Sequence, residues 1–255
     1  LAGDHGVTEE GVSAFPQSVT SQMILNFLAG GAAINVLARQ VGARVVVADL
    51  GVAARLPVRP DLYNAKVAMG TANMAHGPAM SRDQAMQAIA AGADLLRGES
   101  EKGLDILGIG EMGIGNTTAA AAIAAALTGE DPAEVVGRGT GLNDGGLLHK
   151  IDVVRQALAI NRPDAHDALD VLSKVGGFEI GGLVGAILAT AAHRRPVMVD
   201  GYIATAAAML AVCLAPTVRP YLFAAHRSAE GGHGAMLAWL GLEPLLALDM
   251  RLGEG

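Results

Sequence analysis

The segment from residue 104 to residue 118 constrains the fold of this chain more than any other. A short apolar run, residues 104–107, ends in a cluster of glycines, and Asn116, Thr117 and Thr118 then begin an alanine-rich helix. This order predicts a β-strand, a glycine loop and a helix in direct succession. Glycine lets a backbone approach a ligand closely, and a helix N-terminus offers free N–H groups with a partial positive charge. The segment is therefore typical of an anion seat, most often one for phosphate.

Short strands and helices alternate along the rest of the chain. Five short apolar segments are predicted to be strands: residues 1–2, 43–49, 104–107, 196–200 and 220–226. Helices are predicted at residues 21–41, 116–127, 147–160, 163–175, 178–193 and 201–214, and from the capping box that starts at Ser81. Strands that alternate with helices indicate a parallel sheet covered on both faces. We therefore expect a three-layer α/β/α fold with a mainly parallel, doubly wound sheet.

Composition limits the size and the partners of such a fold. The chain has 255 residues, of which 51% are hydrophobic and 17% charged, enough for a large core in one or two domains. Nothing in the sequence divides it, so residues 1–255 are expected to form a single catalytic α/β domain. The net charge of −7 argues against a nucleic-acid partner. The longest apolar runs are shorter than the ~20 residues that a membrane span needs.

The single cysteine and the two chain ends bear on where in the cell the protein is expected. Cys213 lies in an apolar helix and can form no disulfide within the chain, which fits a reducing cytoplasm. The chain starts at Leu1, in the predicted end of a strand, and stops at Gly255 directly after a charged motif. Both ends therefore look truncated, and the sequence excludes no targeting signal.

Polar residues and glycines collect where the predicted strands end. The positions are Asp4 to Gly6, Asp49, the glycine loop, Asp200 with Gly201, and His226 to Ser228. In open parallel sheets, ligands bind beyond the carboxyl ends of the strands. We therefore expect a binding site at this edge, with His5 and His226 near it. The seven histidines lack the close spacing of a metal site, so no metal is expected.

Residues 108–113 also satisfy the pattern G-x-G-x-x-G, so an NAD-dependent oxidoreductase is one alternative. That class needs an acidic residue about 20 positions further on, at the end of the next strand. The acids in range, between Glu130 and Glu134, lie instead in a turn that starts a helix. Glu111, inside the loop, would also repel a pyrophosphate. A purely structural glycine turn is a further alternative.

A second glycine cluster, at residues 137–141, alternates glycine with Arg138 and Thr140. Such a segment can present successive N–H groups to an anion, and Lys150 can add a positive charge. A flexible turn followed by a solvated lysine explains the same residues equally well. The presence of two clusters in one chain favours phosphate.

Two glutamates lie between glycines. Residues 176 and 177 are predicted to end one helix in the left-handed conformation, which puts Glu179 in the first turn of the next helix. Glu254 lies between Gly253 and Gly255, an exposed position that suits a general base approaching the edge of a ligand. An ordinary solvated loop glutamate is the alternative for Glu254.

Several motifs follow one another in order along nearly the whole chain. They are AGDHGV at 2–7, GVSAFP at 11–16, GEMGIGNTT at 110–118, KIDVV at 150–154, KVGGF at 174–178, DG at 200–201, SAE at 228–230, GLEP at 241–244 and MRLGEG at 250–255. Together they resemble the nicotinate-nucleotide:dimethylbenzimidazole phosphoribosyltransferases of cobalamin lower-ligand synthesis. Such a series of ordered motifs makes chance similarity very improbable.

The resemblance implies a reaction. The 5-phosphoribosyl group of nicotinate mononucleotide moves to 5,6-dimethylbenzimidazole, giving nicotinate and α-ribazole 5′-phosphate with inversion from β to α. It also implies a homodimer that works without a metal or a prosthetic group. The family extends beyond both ends of this chain, in helices that form most of a smaller domain.

The same resemblance assigns roles to residues. Glu254 matches the catalytic base, and Glu111 and Glu179 match carboxylates near the ribose. The nucleotide and its phosphate are assigned Met112, Gly113, Ile114, Gly115, Asn116, Thr117, Gly139, Thr140, Gly141, Lys150, Gly201 and Ser228. The benzimidazole side is assigned Ser13, Phe15 as a stacking ring, Gln22, Met250 and Leu252. A non-catalytic nucleotide-binding protein is the alternative from another class, and the presence of Glu254 argues against it.

Overall fold

Six short strands are present in the computed structural model, which describes residues 1–139 and 141–249. They are β1 (Ala2–Gly3), β2 (Val47–Gly51), β3 (Leu62–Asn64), β4 (Leu107–Ile109), β5 (Val197–Val199) and β6 (Leu222–Ala224). The strands form two three-stranded sheets, in the orders β1-β2-β3 and β4-β5-β6, and all their pairings are parallel. The parallel arrangement predicted from the sequence is therefore confirmed.

The two sheets meet where β1 lies beside the residues that follow β4. Ala2 forms a parallel bridge with Met112, and the N–H of Gly3 donates to the carbonyl of Met112 over 3.1 Å. Across this junction the strand order is β3-β2-β1-β4-β5-β6, so the chain winds outward in opposite directions from β1 and from β4. Open α/β sheets bind ligands in the crevice at such a reversal of strand order.

Helices flank both sheets. In the described part of the chain they are α1 (Ser18–Ala29), α2 (Ala33–Val41), α3 (Arg82–Glu101), α4 (Asn116–Thr128), α5 (Pro132–Val135), α6 (Asp144–Asn161), α7 (Ala168–Val175), α8 (Phe178–Ala192), α9 (Tyr202–Leu214) and α10 (His233–Leu240). The capping box predicted at the start of α3 is confirmed: Ser81 Oγ accepts from the N–H of Gln84 over 3.1 Å, and the N–H of Ser81 donates to Gln84 Oε1 over 2.9 Å.

The side chains of β2 define the layers. Val47 packs in a small cluster with Ile24 of α1, whereas Ala48 and Leu50 belong to the main core together with α3 and α8. Because successive side chains of a strand point to opposite faces, this sheet lies between α1 on one side and α8 on the other. The three-layer α/β/α prediction is confirmed.

The single helix predicted at residues 21–41 is wrong. The structure has α1 and α2 there, because Gly30 ends α1 in the left-handed conformation with φ of 76°. Taken together, residues 18–41 are long and apolar enough for a membrane span, with a mean hydropathy of 1.4. The break divides them into helices of 12 and 9 residues, and a span needs ~20.

Other element boundaries also differ from the prediction. Helix α7 begins at Ala168 rather than at residue 163, because Asp167 Oδ1 accepts from the N–H groups of Leu169 and Asp170 at 3.0 and 3.2 Å. Strand β2 begins at Val47 rather than at residue 43. The helix expected to start at the turn before residue 134 is α5. Two short elements, β3 and α10, were not predicted, because neither has a long enough apolar pattern.

Two glycines of α3 provide a matched test of its packing against α8. A Cβ on Gly92 would lie well under 3.0 Å from the carbonyl oxygen of Gly182, whereas one on Gly98 would meet nothing within 4 Å. We expect Gly92→Ala to lower the free energy of unfolding by about 3 kcal/mol, because the two backbones must separate. Gly98→Ala should raise it by up to about 1 kcal/mol through helix propensity. Urea unfolding measures both, and equal effects would contradict this packing.

Candidate active site at the junction of the two sheets

Residues that follow β1 and β4 lie together at the junction of the two sheets. Asp4 and His5 come directly after β1 and are 2% and 1% exposed. Asp4 Oδ2 accepts from the N–H of Ala53 over 2.8 Å, which ties the end of β1 to the segment after β2. Glu111 and Met112 follow β4 and lie beside β1 through the junction at Ala2. The polar residues predicted at strand ends therefore do meet at one edge of the fold.

Two glycines of the loop after β4 pack against the protein itself. A Cβ on Gly113 would lie well under 3.0 Å from the carbonyl oxygen of Gly3, and one on Gly115 would lie 2.9 Å from Cγ2 of Thr8. Gly115 also has φ of 95°, a conformation that favours glycine. The sequence predicted that a ligand lies close to the glycines of this loop. At Gly113 and Gly115 the neighbouring atoms belong instead to β1 and to the turn after it. Helix α4 then begins without a side-chain cap, as an anion seat requires.

Glu111 lies inside this loop and is only 8% exposed. Its Oε2 accepts a hydrogen bond from the side-chain amide of Asn116. Burial raises the pKa of Glu111 to about 8, and the charges of Glu179 and Asp200 act in the same direction. The carboxyl group is therefore mostly protonated at neutral pH, and a cation placed beside it would favour its ionisation.

His5 and Glu179 form a buried pair behind the loop. His5 Nε2 lies 2.6 Å from Glu179 Oε1, and both side chains are almost fully buried. Burial lowers the pKa of His5, but the charges and hydrogen bond of the neighbouring carboxylates outweigh it and raise the pKa overall. Glu179 stands in the first turn of α8, as predicted. The pair joins the end of β1 to the first turn of α8.

Two glycines precede α8, and one of them leaves room for the ring of His5. Gly176 and Gly177 have φ of −93° and −142°, so the predicted left-handed cap is wrong. A Cβ on Gly177 would lie well under 3.0 Å from Cε1 of His5. Glycine is therefore required at residue 177 because the imidazole ring occupies the space of a side chain.

The second glycine cluster and Lys150 meet the start of α4. Lys150 extends from α6, is 1% exposed, and donates from Nζ to Thr117 Oγ1 over 2.8 Å and to the carbonyl of Gly137 over 3.3 Å. A Cβ on Gly139 would lie 3.5 Å from this ammonium group. Burial lowers the pKa of Lys150 to about 8, and the charge of Glu230 opposes the shift. The solvated-lysine alternative is wrong, since the ammonium lies among groups of both glycine-containing segments.

The ends of β5 and β6 bring two more assigned residues together. Asp200 Oδ1 lies 3.3 Å from Nε2 of His226; burial raises the pKa of Asp200, and the histidine opposes this. Gly201 caps α9, and a Cβ on it would lie 3.6 Å from the same ring nitrogen. The N–H of Ser228 donates to His233 Nδ1 over 2.8 Å. Gly201 and Ser228 thus lie at neighbouring strand ends, on the same edge as the glycine loop. Gly141, in the second glycine cluster, has φ of 112°.

The residues assigned to the benzimidazole side are more exposed. Phe15 is 48% exposed, and its N–H donates to Ser13 Oγ over 3.2 Å. Gln22 is exposed on α1. Gln17 links this segment to the site, since its Nε2 donates to the carbonyl of His5 over 3.3 Å. An exposed ring held beside the end of β1 suits a stacking surface.

Four residues with assigned roles lie outside the described residues: Thr140, Met250, Leu252 and Glu254. The chain that leads toward the last three follows the end of β6. The N–H of Leu246 donates to the carbonyl of Ala225 over 3.0 Å, and the N–H of Arg227 donates to Leu246 over 2.8 Å. The described chain before residue 250 therefore runs beside the strand end that carries His226.

The dinucleotide alternative lacks its ribose-binding acid. Helix α4 leads to α5 and not to a strand. Asp131 caps α5 by accepting from the N–H of Ala133 over 2.8 Å, and it also accepts from Arg155 over 2.8 Å. The acid is thus engaged away from any strand end, and the pattern at residues 108–113 is not part of a dinucleotide site.

Three polar residues of the site region were not predicted from the sequence: Thr205, Glu230 and His233. Glu230 Oε2 is buried without a hydrogen-bond partner among the described residues, and a Cβ on Gly137 would collide with it. Thr205 lies inside an apolar helix, Glu230 lies in a glycine-rich loop and His233 begins α10, so no spacing marks them. Their position after β5 and β6 is the one signal that could have found them.

Comparison with known proteins agrees with this fold. The fold is that of a phosphoribosyltransferase: a family model with that description, DBI_PRT, matches residues 1–255. A protein of Roseiflexus sp. (strain RS-1) named nicotinate-nucleotide–dimethylbenzimidazole phosphoribosyltransferase is 60% identical over 255 residues, which are 100% of this chain and 72% of that protein. The chain belongs to the family of nicotinate-nucleotide–dimethylbenzimidazole phosphoribosyltransferases.

Two further relatives extend the comparison. A protein of the same name from Desulforudis audaxviator (strain MP104C) is 59% identical over 100% of this chain and 72% of its own length. The crystal structure of CobT from Thermus thermophilus matches with a TM-score of 0.96 and 49% identity, covering 100% of this chain and 76% of that one. The resemblance drawn from the ordered motifs is thereby confirmed.

Proposed function

We propose that this chain transfers the 5-phosphoribosyl group of nicotinate mononucleotide to 5,6-dimethylbenzimidazole, giving nicotinate and α-ribazole 5′-phosphate. One observation carries the proposal beyond family membership. Asn116 and Thr117, neighbours at the start of α4, contact Glu111 and Lys150 respectively. The start of α4 thus contacts a buried carboxyl group through Asn116 and a buried ammonium through Thr117. Nicotinate mononucleotide has the matching charges, a phosphate dianion at one end and a pyridinium cation at the other.

The phosphate is assigned to the cradle of Lys150, Thr117 and Gly139. An ammonium 1% exposed is poorly solvated, so its attraction to a phosphate is stronger than in water. The first turn of α4 adds a helix N-terminus to the same place. Binding a dianion here offsets the burial that lowers the pKa of Lys150 to about 8.

The acidic groups are assigned to the ribose and the leaving ring. The pyridinium is already a cationic leaving group, so no acid need protonate it. As its bond to the anomeric carbon breaks, positive charge develops on the ribose, and fixed carboxylates stabilise that charge. Glu111 and Glu179 supply them; Glu111, neutral in the free protein, ionises when the cationic ring binds beside it.

The incoming benzimidazole needs a base and a fixed orientation. Its ring nitrogen attacks the face of the anomeric carbon opposite the leaving nicotinate, which inverts the configuration from β to α. The second ring nitrogen then loses its proton, and we assign Glu254 to accept it. Ser13, Phe15, Gln22, Met250 and Leu252 are assigned to hold the ring, with Phe15 stacked against it.

We further propose that residues 1–255 act as one catalytic domain of a cytoplasmic homodimer that needs no metal or prosthetic group. Light scattering of the purified protein measures the mass of the particle, and a monomer at working concentrations would contradict the dimer. Activity that survives treatment with a chelator is expected.

Glu254→Gln tests catalysis against mere binding. We expect kcat to fall by about 10²–10⁴-fold, because the amide accepts no proton, while the affinity for nicotinate mononucleotide stays within about twofold. Calorimetry and product chromatography measure the two quantities. Glu243→Gln, at an exposed position, is the control and should leave both unchanged. A wild-type protein that binds the nucleotide but forms no product would favour the non-catalytic alternative.

A further inference from the structure

His233 is fully buried, at 0% exposure, although it begins a helix. Both of its ring nitrogens have polar partners. The N–H of Ser228 donates to Nδ1 over 2.8 Å, and Nε2 lies 2.9 Å from Thr205 Oγ1. The hydroxyl of Thr205 in turn lies 2.7 Å from the carbonyl oxygen of Gly201. The four residues form one continuous hydrogen-bonded chain.

The direction of these hydrogen bonds fixes the state of the ring. Because a backbone N–H can only donate, Nδ1 of His233 must accept from Ser228 and carries no proton. The ring proton is therefore on Nε2 and is donated to Thr205, whose own hydroxyl donates to Gly201. Every donor in the chain then has an acceptor. Burial lowers the pKa of His233 to about 4, and electrostatic interaction with His226 and Arg227 acts in the same direction, which keeps the ring neutral.

The chain of hydrogen bonds joins segments from neighbouring strands. Ser228 follows β6 and Gly201 follows β5, and both are assigned to the nucleotide. The N–H of His233 also donates to the carbonyl of Glu230 over 3.1 Å, and the Glu230 carboxylate lies against Gly137 in the cradle of Lys150. Through its ring and its backbone N–H, His233 thus connects three segments that surround the assigned nucleotide site.

A second aromatic ring packs against that of His233. Tyr202 meets it edge-on, with ring centroids 6.5 Å apart and planes at 80°. The hydroxyl of Tyr202 is itself fixed, since it donates to the carbonyl of Val135 over 2.6 Å. A Cβ on Gly232, the residue before His233, would lie 2.6 Å from Cα of Val135. The neutral ring is therefore a rigid spacer between strand ends.

We propose that His233 is a positioning residue of the enzyme: its neutral ring holds Ser228 and Gly201 at a fixed separation for the phosphoribosyl group. His233 itself touches no substrate. This role rests on the proposed function, since it concerns the nucleotide side of that site. It predicts a defect in nucleotide binding, with the benzimidazole side unaffected.

Thr205→Val tests the role by removing one hydroxyl with little change in shape. We expect the KM for nicotinate mononucleotide to rise about tenfold, the effect of one lost buried hydrogen bond, because the nucleotide loses the contact in ground and transition states alike. The KM for dimethylbenzimidazole and kcat should stay within about twofold. Thr205→Ser keeps the hydroxyl and should restore the nucleotide KM.

The outcomes separate this role from a structural one and from the function itself. An unchanged nucleotide KM in Thr205→Val, or a parallel change of all three parameters in both variants, would overturn the positioning role. Absence of product with the wild-type enzyme would instead refute the proposed function. A second measurement needs no variant: ¹⁵N spectra of the wild-type histidines should contain one ring protonated on Nε2 that does not titrate at about pH 6.5. A ring protonated on Nδ1 in its place would overturn the proposal.

Discussion

Lys150→Met is expected to lower kcat/KM for nicotinate mononucleotide by about 10³-fold, through the loss of charge-assisted hydrogen bonds to the phosphate. The fold should remain as stable as the wild type or become more stable. The ammonium is 1% exposed, and burial lowers the pKa of Lys150 to about 8, which shows that the buried charge destabilises the unliganded protein. Methionine has a similar unbranched chain and no charge to bury.

Steady-state kinetics and thermal unfolding test this separation of activity from stability. Nicotinate mononucleotide should raise the Tm of the wild type and leave that of Lys150→Met unchanged, because a ligand stabilises only a protein that binds it. Lys102→Met is the control: its side chain is 65% exposed, and no effect on kinetics is expected. Normal nucleotide binding by Lys150→Met would contradict the assignment of the phosphate to Lys150, Thr117 and Gly139.

Glu111→Gln is expected to lower kcat by about 10²-fold, the loss of one preorganised charge near the transition state. At neutral pH the wild-type carboxyl is mostly protonated, since its pKa is raised to about 8, so the amide replaces a group of nearly the same shape and charge. The oxygen of the amide can still accept from Asn116. Stability at pH 7 should therefore change little while turnover falls, and kinetics with urea unfolding on the same samples measure both.

The affinity for the nucleotide should depend on pH through the same residue. Between about pH 6 and 8 the wild type should bind more tightly as pH rises, because the cationic ring binds best to ionised Glu111, whose pKa in the free protein is about 8. Above about pH 8 the affinity should fall again as Lys150, with its pKa lowered to about 8, loses its proton. The phosphate of the nucleotide ionises over the same range with either protein. The increase in affinity between about pH 6 and 8 should therefore be smaller for Glu111→Gln than for the wild type, because only the wild type has the carboxyl group. A rising limb of the same slope in the variant would contradict this role.

The stability of the unliganded protein should change in the opposite direction to the nucleotide affinity, and fall as pH rises over this range. The folded pKa of Glu111 lies above its ordinary value of 4.5, so the native state holds an extra proton between that value and about 8. The stability that this extra proton contributes is fully present below the pKa of Glu111 in the unfolded chain, and it is lost as pH rises through the pKa of Glu111 in the folded protein. Urea unfolding should show the wild type losing more stability than Glu111→Gln between about pH 5 and 8.

The parts of the fold that follow from local signals could be predicted. The glycine loop and the alanine run after it specify a turn and a helix by themselves, and α4 begins at Asn116 as expected. The polar residues at strand ends were also found, because a parallel sheet brings the carboxyl ends of its strands to one edge. The break at Gly30 was missed, since the apolar pattern continues on both sides of it.

What could not be predicted depends on contacts distant in sequence. The chain alone does not show that Gly113 must be glycine because Gly3 lies against it, or that His5 pairs with a carboxylate 174 residues away. His233 gave no signal for the same reason, since its partners come from α9 and from the loop after β6. Residue types and strand ends located the site, and tertiary packing decided how its members are charged and held.

The most direct test of the proposed function is the reaction itself. Wild-type protein, nicotinate mononucleotide and 5,6-dimethylbenzimidazole are incubated together, and products are followed by chromatography with mass detection and by NMR of the anomeric proton. We predict nicotinate and α-ribazole 5′-phosphate in equal amounts, with the α configuration. A folded protein that binds the nucleotide yet forms neither product, or that releases nicotinate without the α-nucleotide, would contradict it.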